Sequence, residues 1–140
     1  MSKRVLADTG PIVAIFSEDD GFHAPCLAAL KNLRPPLLTC WPVIAEVAWL
    51  LRKRPRSLHQ FFGGFDDGLF ALLPLAADDL PAIAATMKRY EDIGLQFADA
   101  SLVHLAEREN LHTLFTTDRR DFSIVRLKRN RALRIIPDLS

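Results

Sequence analysis

Cysteine is scarce in this 140-residue chain: Cys26 and Cys40 stand alone, with no CxxC spacing between them. That excludes a disulfide framework, and both read as small apolar residues of a reduced compartment. The four histidines are scattered and show no zinc-ligand spacing. No uninterrupted apolar run approaches the roughly 18 residues of a membrane span. Lys3 and Arg4 precede a short apolar run, but Asp8 interrupts it far too early for a secretory signal. The expectation is a cytoplasmic protein with no membrane segment. An excess of one charge is also missing, since 18 Lys and Arg balance 17 Asp and Glu. Net charge therefore says nothing about nucleic acid. Neither GxGxxG nor GxxxxGK[ST] occurs, which leaves a nucleotide-binding fold without its phosphate loop.

What is present is ordinary for a globular protein: 49% hydrophobic and 25% charged residues. The length fits one domain over residues 1–140. Apolar runs and helix patterns alternate along it. Strands are expected at Val5 to Ala7, Leu37 to Cys40, Leu69 to Leu73, His112 to Phe115 and Leu133 to Ile136. Gly10 and Pro11 open a first helix. Asp19 or Asp20 caps a second, running through Cys26 to about Leu33. Pro42 starts a strong helix from Val43 to about Lys53, which Pro55 ends. A shorter one around Ser57 to Phe62 is broken by Gly63 and Gly64. Asp78 or Asp79 caps a helix that ends near Tyr90. Another runs from about Ala98 to Glu109, and Asp121 to Val125 forms one helical turn. Such alternation predicts an α/β domain with a mainly parallel sheet.

Four carboxylates fall where charge is costly. Asp8 ends the first strand of KRVLADTGPIVAIF, where open α/β sheets bind ligands. Glu46 shares a helix face with Val43, Val47 and Leu50, which drives it toward the apolar side. Burying a lone carboxylate costs several kcal/mol, so Glu46 needs a partner or a wet edge. A buried pair with Arg52 would serve. Asp99 shares its face with Leu102, Val103 and Ala106, and by itself reads as an N-cap. Asp118 follows the fourth strand beside Thr116 and Thr117, in the same kind of position as Asp8. By itself it reads as a turn capping the short helix that holds Asp121. Together, two acids at strand ends and two near helix starts could share one edge of the sheet. Converging carboxylates repel, and at least one stays protonated at neutral pH. A divalent cation removes that conflict, and Mg²⁺ or Mn²⁺ takes oxygen ligands. Such a centre suits phosphodiester hydrolysis.

These stretches resemble the PIN-domain nucleases, most closely the VapC-type ribonuclease toxins of bacterial toxin–antitoxin pairs. The carriers are LADTGPIVAIF with Asp8, PVIAEVAWLL with Glu46, FADASLVHLA with Asp99, and LFTTDRRDF with Thr116, Asp118 and Phe122. Each is weak alone, but their order and spacing are fairly specific. The resemblance implies a three-layer α/β/α domain with a mainly parallel five-stranded sheet. It also implies an Mg²⁺- or Mn²⁺-dependent endoribonuclease. Carried over by position, Asp8, Glu46, Asp99 and Asp118 form the acidic centre, with Asp8 and Asp99 as the first metal ligands. Glu46 and Asp118 bind a second metal or hold waters. Thr9 and Thr116 support the site by hydrogen bonds, and Asp121 is an extra acid. A homodimer is usual in that family, and an antitoxin would bury a helix or tail near the acids.

Basic residues crowd two stretches. Arg119, Arg120, Arg126, Lys128, Arg129, Arg131 and Arg134 form one, and Arg52, Lys53, Arg54 and Arg56 the other. Such clusters can face phosphates or merely solvent. Arg52, Arg119 and Arg120 are the expected RNA contacts. The expected chemistry is in-line attack by water on an RNA phosphate, leaving a 5′-phosphate and a 3′-hydroxyl. The same acids also fit a PIN-domain RNA-processing nuclease outside a toxin pair, or a non-catalytic PIN-like binding module. A phosphatase of the haloacid dehalogenase type needs D-x-D after its first strand, and Gly10 occupies the second position here.

Overall fold

The structure, a computed structural model, describes residues 4–139. Its centre is a five-stranded parallel sheet in the order β3-β2-β1-β4-β7. The strands are β1 (Leu6–Ala7), β2 (Leu37–Thr39), β3 (Phe70–Leu72), β4 (Thr113–Phe115) and β7 (Arg134–Ile136). Helices cover both faces, which makes the three-layer α/β/α architecture that the sequence implied. Burial on both faces explains why the inner strands read as apolar runs and not as alternations. Leu6, Ala7, Leu37, Leu38, Leu114 and Phe115 are all in the core.

Seven helices are described: α1 (Thr9–Phe16), α2 (His23–Leu30), α3 (Trp41–Leu50), α4 (Pro55–Asp66), α5 (Leu80–Arg89), α6 (Phe97–Arg108) and the single turn α7 (Arg119–Phe122). Pro11, Pro42 and Pro81 lie in first turns, where their missing N–H costs nothing.

Several boundaries differ from expectation for physical reasons. α4 runs straight through Gly63 and Gly64 and begins at Pro55, which opens this helix after the short turn that ends α3. Gly64 is tolerated because it packs under Phe70: a Cβ there would lie 2.7 Å from the Phe70 Cδ2. Tertiary contact thus overrides propensity. Phe61 anchors the same helix, with its ring 5.3 Å from Phe70 and 6.1 Å from Phe16, centroid to centroid. α2 starts at His23, because Asp20 first closes a turn by accepting from the Phe22 N–H. Asp79 sits in a 3₁₀ turn before α5 and accepts from the Ala76 N–H.

α7 falls two residues earlier than expected, directly after Asp118. The segment between it and β7 holds an unexpected antiparallel hairpin, β5 (Arg126–Leu127) and β6 (Arg131–Ala132). Its turn places Arg129 and Asn130 at positive φ. Cys26 and Cys40 are buried free thiols. Among the described residues, no helix is long and apolar enough to cross a membrane.

Candidate active site

From β1 the chain steps outward to β2 and β3, then returns to lay β4 on the other side of β1. The order reverses between β1 and β4. In open α/β sheets the crevice at the carboxyl ends of such a pair is the ligand site. Register sets what meets there. Ala7 lies opposite Phe115, so the next residues, Asp8 and Thr116, are lateral neighbours. The Asp8 N–H donates to the Phe115 carbonyl at 2.9 Å. The Thr116 hydroxyl donates to Asp8 Oδ2 at 2.7 Å. Thr116 Oγ1 also accepts from the Asp118 N–H at 3.0 Å, so one side chain ties the two strand-end acids together.

The helices bring the other two. α3 packs against α1 and α6. Across the first contact, Thr9 donates its hydroxyl to Glu46 Oε1 at 2.6 Å. Glu46 sits at the border of the buried stripe of α3 and is half-buried. Val43 and Val47 define that stripe, whereas Leu50 is 53% exposed, contrary to the expectation that it shared an apolar face with Glu46. Arg52 is not the partner of Glu46; its guanidinium stacks on Trp49. Asp99 is the third residue of α6 and not its cap. It reaches back to accept from the Gln96 N–H at 3.2 Å, half of a capping box. α1 begins directly after Asp8, and α6 begins just before Asp99. Both helix N-termini therefore favour negative charge at this edge.

The electrostatics show how close the acids stand. Burial pushes the Asp8 carboxyl up to about 6 against the pull of the Thr116 hydroxyl and the Thr9 N–H, and the charges of Glu46 and Asp118 add to the rise. Burial pushes Asp99 up to about 7, and repulsion by Asp8, Glu46 and Asp118 adds to it. Asp99 thus feels all three of the other acids, and Asp8 feels Glu46 and Asp118. None takes part in the ion pairs of the described residues, which join Asp19 to Arg54, Asp79 to His104 and Arg108, Arg108 to Glu109, and Arg119 to Asp138. Asp118 also caps α7 by accepting from the Asp121 N–H at 3.1 Å. Asp121 lies beside it, with its carboxyl raised first by desolvation and then by the charge of Asp118. The capping and acidic-centre readings of Asp118 are both met in one side chain. Among the described residues, no three His, Cys, Asp or Glu side chains are gathered as a ready-made metal cage.

One contact escaped the sequence. Gly10 is not merely a helix opener: a Cβ there would lie 2.3 Å from Thr117 Oγ1. Its bare backbone lets the loop after β4 lie against the start of α1, beside Asp8. Trp41, the first residue of α3, is 60% exposed and lines an apolar hollow of about 300 Å³ with Leu80, Ile83 and Phe97. The expected RNA contacts separate. Arg120 is exposed. Arg119 donates to the carbonyls of Ile135 and Pro137 and pairs with Asp138. Arg126 is likewise tied to the carbonyls of Ser123 and Val125.

A parallel sheet that gathers four carboxylates and two threonine hydroxyls at its switch point resembles the PIN domains, and the chain belongs to that family: the PIN domain model matches residues 5–128. Ribonuclease VapC26 of Mycobacterium tuberculosis is 27% identical over 128 residues, covering 87% of this chain and 92% of the relative. The crystal structure of Mycobacterium tuberculosis VapC20, a toxin that cleaves the sarcin–ricin loop, superposes with a TM-score of 0.76. Its sequence is 16% identical, and the alignment covers 84% of this chain and 92% of that one. At that identity the likeness speaks for the fold.

Proposed function

We propose that this chain is a metal-dependent endoribonuclease and the toxin of a type II toxin–antitoxin pair. The observation that carries the reading is the convergence of Asp8, Glu46, Asp99 and Asp118 at the β1/β4 crevice, with burial and repulsion holding Asp8 and Asp99 toward their protonated forms. A protein gains nothing in stability from such a cluster unless a cation meets it. The donors are carboxylate oxygens, the class that Mg²⁺ and Mn²⁺ prefer. The residues therefore fit the group, with Asp8 and Asp99 as the proposed ligands and Glu46 and Asp118 beside them. When bound, Mg²⁺ or Mn²⁺ supplies polarisation of a phosphate oxygen and a more acidic water.

The rest falls to the chain's own side chains. Thr116 fixes the Asp8 carboxylate by donating to Oδ2. Thr9 likewise donates to Glu46 Oε1. An unprotonated carboxylate in this group can take the proton from the attacking water. Arg120, on the exposed side of α7, can steer phosphate toward the crevice. The relative described as a ribonuclease and the VapC20 fold support RNA as the substrate and the toxin assignment. The exposed hollow at Trp41, Leu80 and Phe97 supports a homodimer in which a second copy covers it.

The test is calorimetric titration of Mn²⁺ into the metal-free protein, alongside Asp8→Asn, Asp99→Asn and Thr116→Val. Native protein is expected to bind, the two Asn variants to lose binding, and Thr116→Val to bind about tenfold more weakly, as removal of an outer hydrogen-bond partner does. A folded native protein that binds no Mn²⁺ at millimolar concentration would refute the metal centre. RNA products ending in 2′,3′-cyclic phosphate would refute the hydrolytic route.

A further inference from the structure

One turn beyond Glu46 on α3 stands an aromatic side chain that the core does not use. Trp49 is 63% exposed. The guanidinium carbon of Arg52 lies 3.7 Å from the centre of its ring. Arg52 Nη1 donates to the Trp49 carbonyl at 2.8 Å, which fixes the guanidinium plane over the indole. An exposed Trp–Arg stack held by a hydrogen bond is a rigid platform, and most of the indole remains open to solvent. Lys53 and Arg56, close by in the chain, are exposed, while Arg54 is already paired with Asp19.

We infer that Trp49 and Arg52 form a nucleobase-stacking subsite that seats an unpaired base of the RNA next to the phosphate held at the acids. Glu46 and Trp49 are three positions apart, so their side chains share one face of α3. Their Cα atoms differ by only about 4.5 Å along the helix axis. A nucleotide adjacent to a phosphate at Glu46 therefore lies within reach of the indole. The basic residues Lys53 and Arg56 suit the next phosphate of the same strand. Every base has a π-face, so the subsite takes any base and contributes little sequence preference. It requires a base free of its stack, since in a duplex both faces are covered by neighbours. The inference rests on the nuclease reading above and adds to it one named contact, the Trp49–Arg52 platform as a base-stacking subsite.

The test reads Trp49 directly. The chain has two tryptophans, so a Trp41→Phe variant leaves emission from Trp49 alone. A short oligouridylate and an abasic oligoribonucleotide of the same length are titrated with Ca²⁺ in place of Mg²⁺ or Mn²⁺, another cation that takes carboxylate oxygens, and the strands are checked intact on a gel. The base-bearing strand is expected to quench Trp49 and the abasic strand to leave it unquenched. Trp49→Ala should weaken binding of the base-bearing strand about tenfold, and Trp49→Phe should restore most of it. Equal quenching by the two strands, binding of neither, or unchanged binding by Trp49→Ala overturns the subsite. So does a Trp49 emission shift that follows protein concentration without RNA, because a second copy would then own this face. The nuclease reading fails separately, in the Mn²⁺ titration, which Trp49→Ala is expected to leave unchanged.

Discussion

Replacing Asp8 by Asn should make the metal-free protein more stable, and only above a certain pH. Asp8 is 6% exposed, and its carboxyl is pushed up from 3.8 to about 6. The native state therefore holds the proton more tightly than the unfolded chain does. Stability linked to Asp8 is present below about 4, declines as pH rises through 4 to 6, and is absent above that. A rise of about two units corresponds to roughly 3 kcal/mol at 1.36 kcal/mol per unit. Asn removes the charge and keeps an oxygen to accept from Thr116. At pH 8 in chelator, Asp8→Asn should gain on the order of 1–3 kcal/mol, a Tm rise of about 3–10 °C for a chain of this size. At pH 4 the two proteins should melt together. With Mn²⁺ at a hundred times its Kd, the native protein should recover about 2.7 kcal/mol and the variant should gain nothing. Thermal melts across pH 4–8, with and without Mn²⁺, decide it. A variant less stable than native at pH 8 in chelator, or an offset that ignores pH, would refute the account of a strained acidic centre.

Two further substitutions test the close contacts. Gly10→Ala puts a Cβ 2.3 Å from Thr117 Oγ1 and should cost roughly 1–3 kcal/mol in urea denaturation. Thr117→Ala in the same chain removes the clash, since the next nearest Thr117 atom is 3.6 Å away, and should return most of the loss. If the double variant is no more stable than Gly10→Ala, the contact is misjudged. Gly64→Ala drives a methyl group into the Phe70 ring and should cost a similar amount, whereas Gly63→Ala, with nothing within 4 Å, should be neutral or slightly stabilising in mid-helix. Equal effects at the two glycines would contradict the packing described for α4.

The candidate acids stood out unevenly in the sequence. Asp8 ends a buried strand and Glu46 borders an apolar helix face, whereas Asp99 and Asp118 each read alone as caps, and Asp118 does cap α7. Order along the chain then located the four. Their hydrogen bonds were not legible, because Thr116 reaches Asp8 across 108 positions and that pairing exists only through strand register. The break expected at Gly63 and Gly64 failed because propensity cannot see Phe70. The hairpin of β5 and β6 was hidden in a run of cations with no alternation, turning on non-glycine residues at positive φ. Charge counting also misled in part. Arg119 and Arg126 bind carbonyls of their own neighbourhood, so a basic run in sequence is a smaller basic patch in space.

The pairing of β1 with β4 sets a timetable for synthesis. Asp8 and Glu46 leave the ribosome early, and Thr9 can join Glu46 across 37 positions. Asp99, Thr116 and Asp118 come last, and β1 has no β4 beside it until then. At about 5–20 residues per second, the first half of the chain waits several seconds for its partner strand. During that interval Asp8 lacks both the hydroxyl that orients it and the Asp118 charge that adds to its rise. A nascent or truncated chain ending before β4 thus carries half a site, and the complete acidic crevice forms only once β4 and Asp118 have emerged.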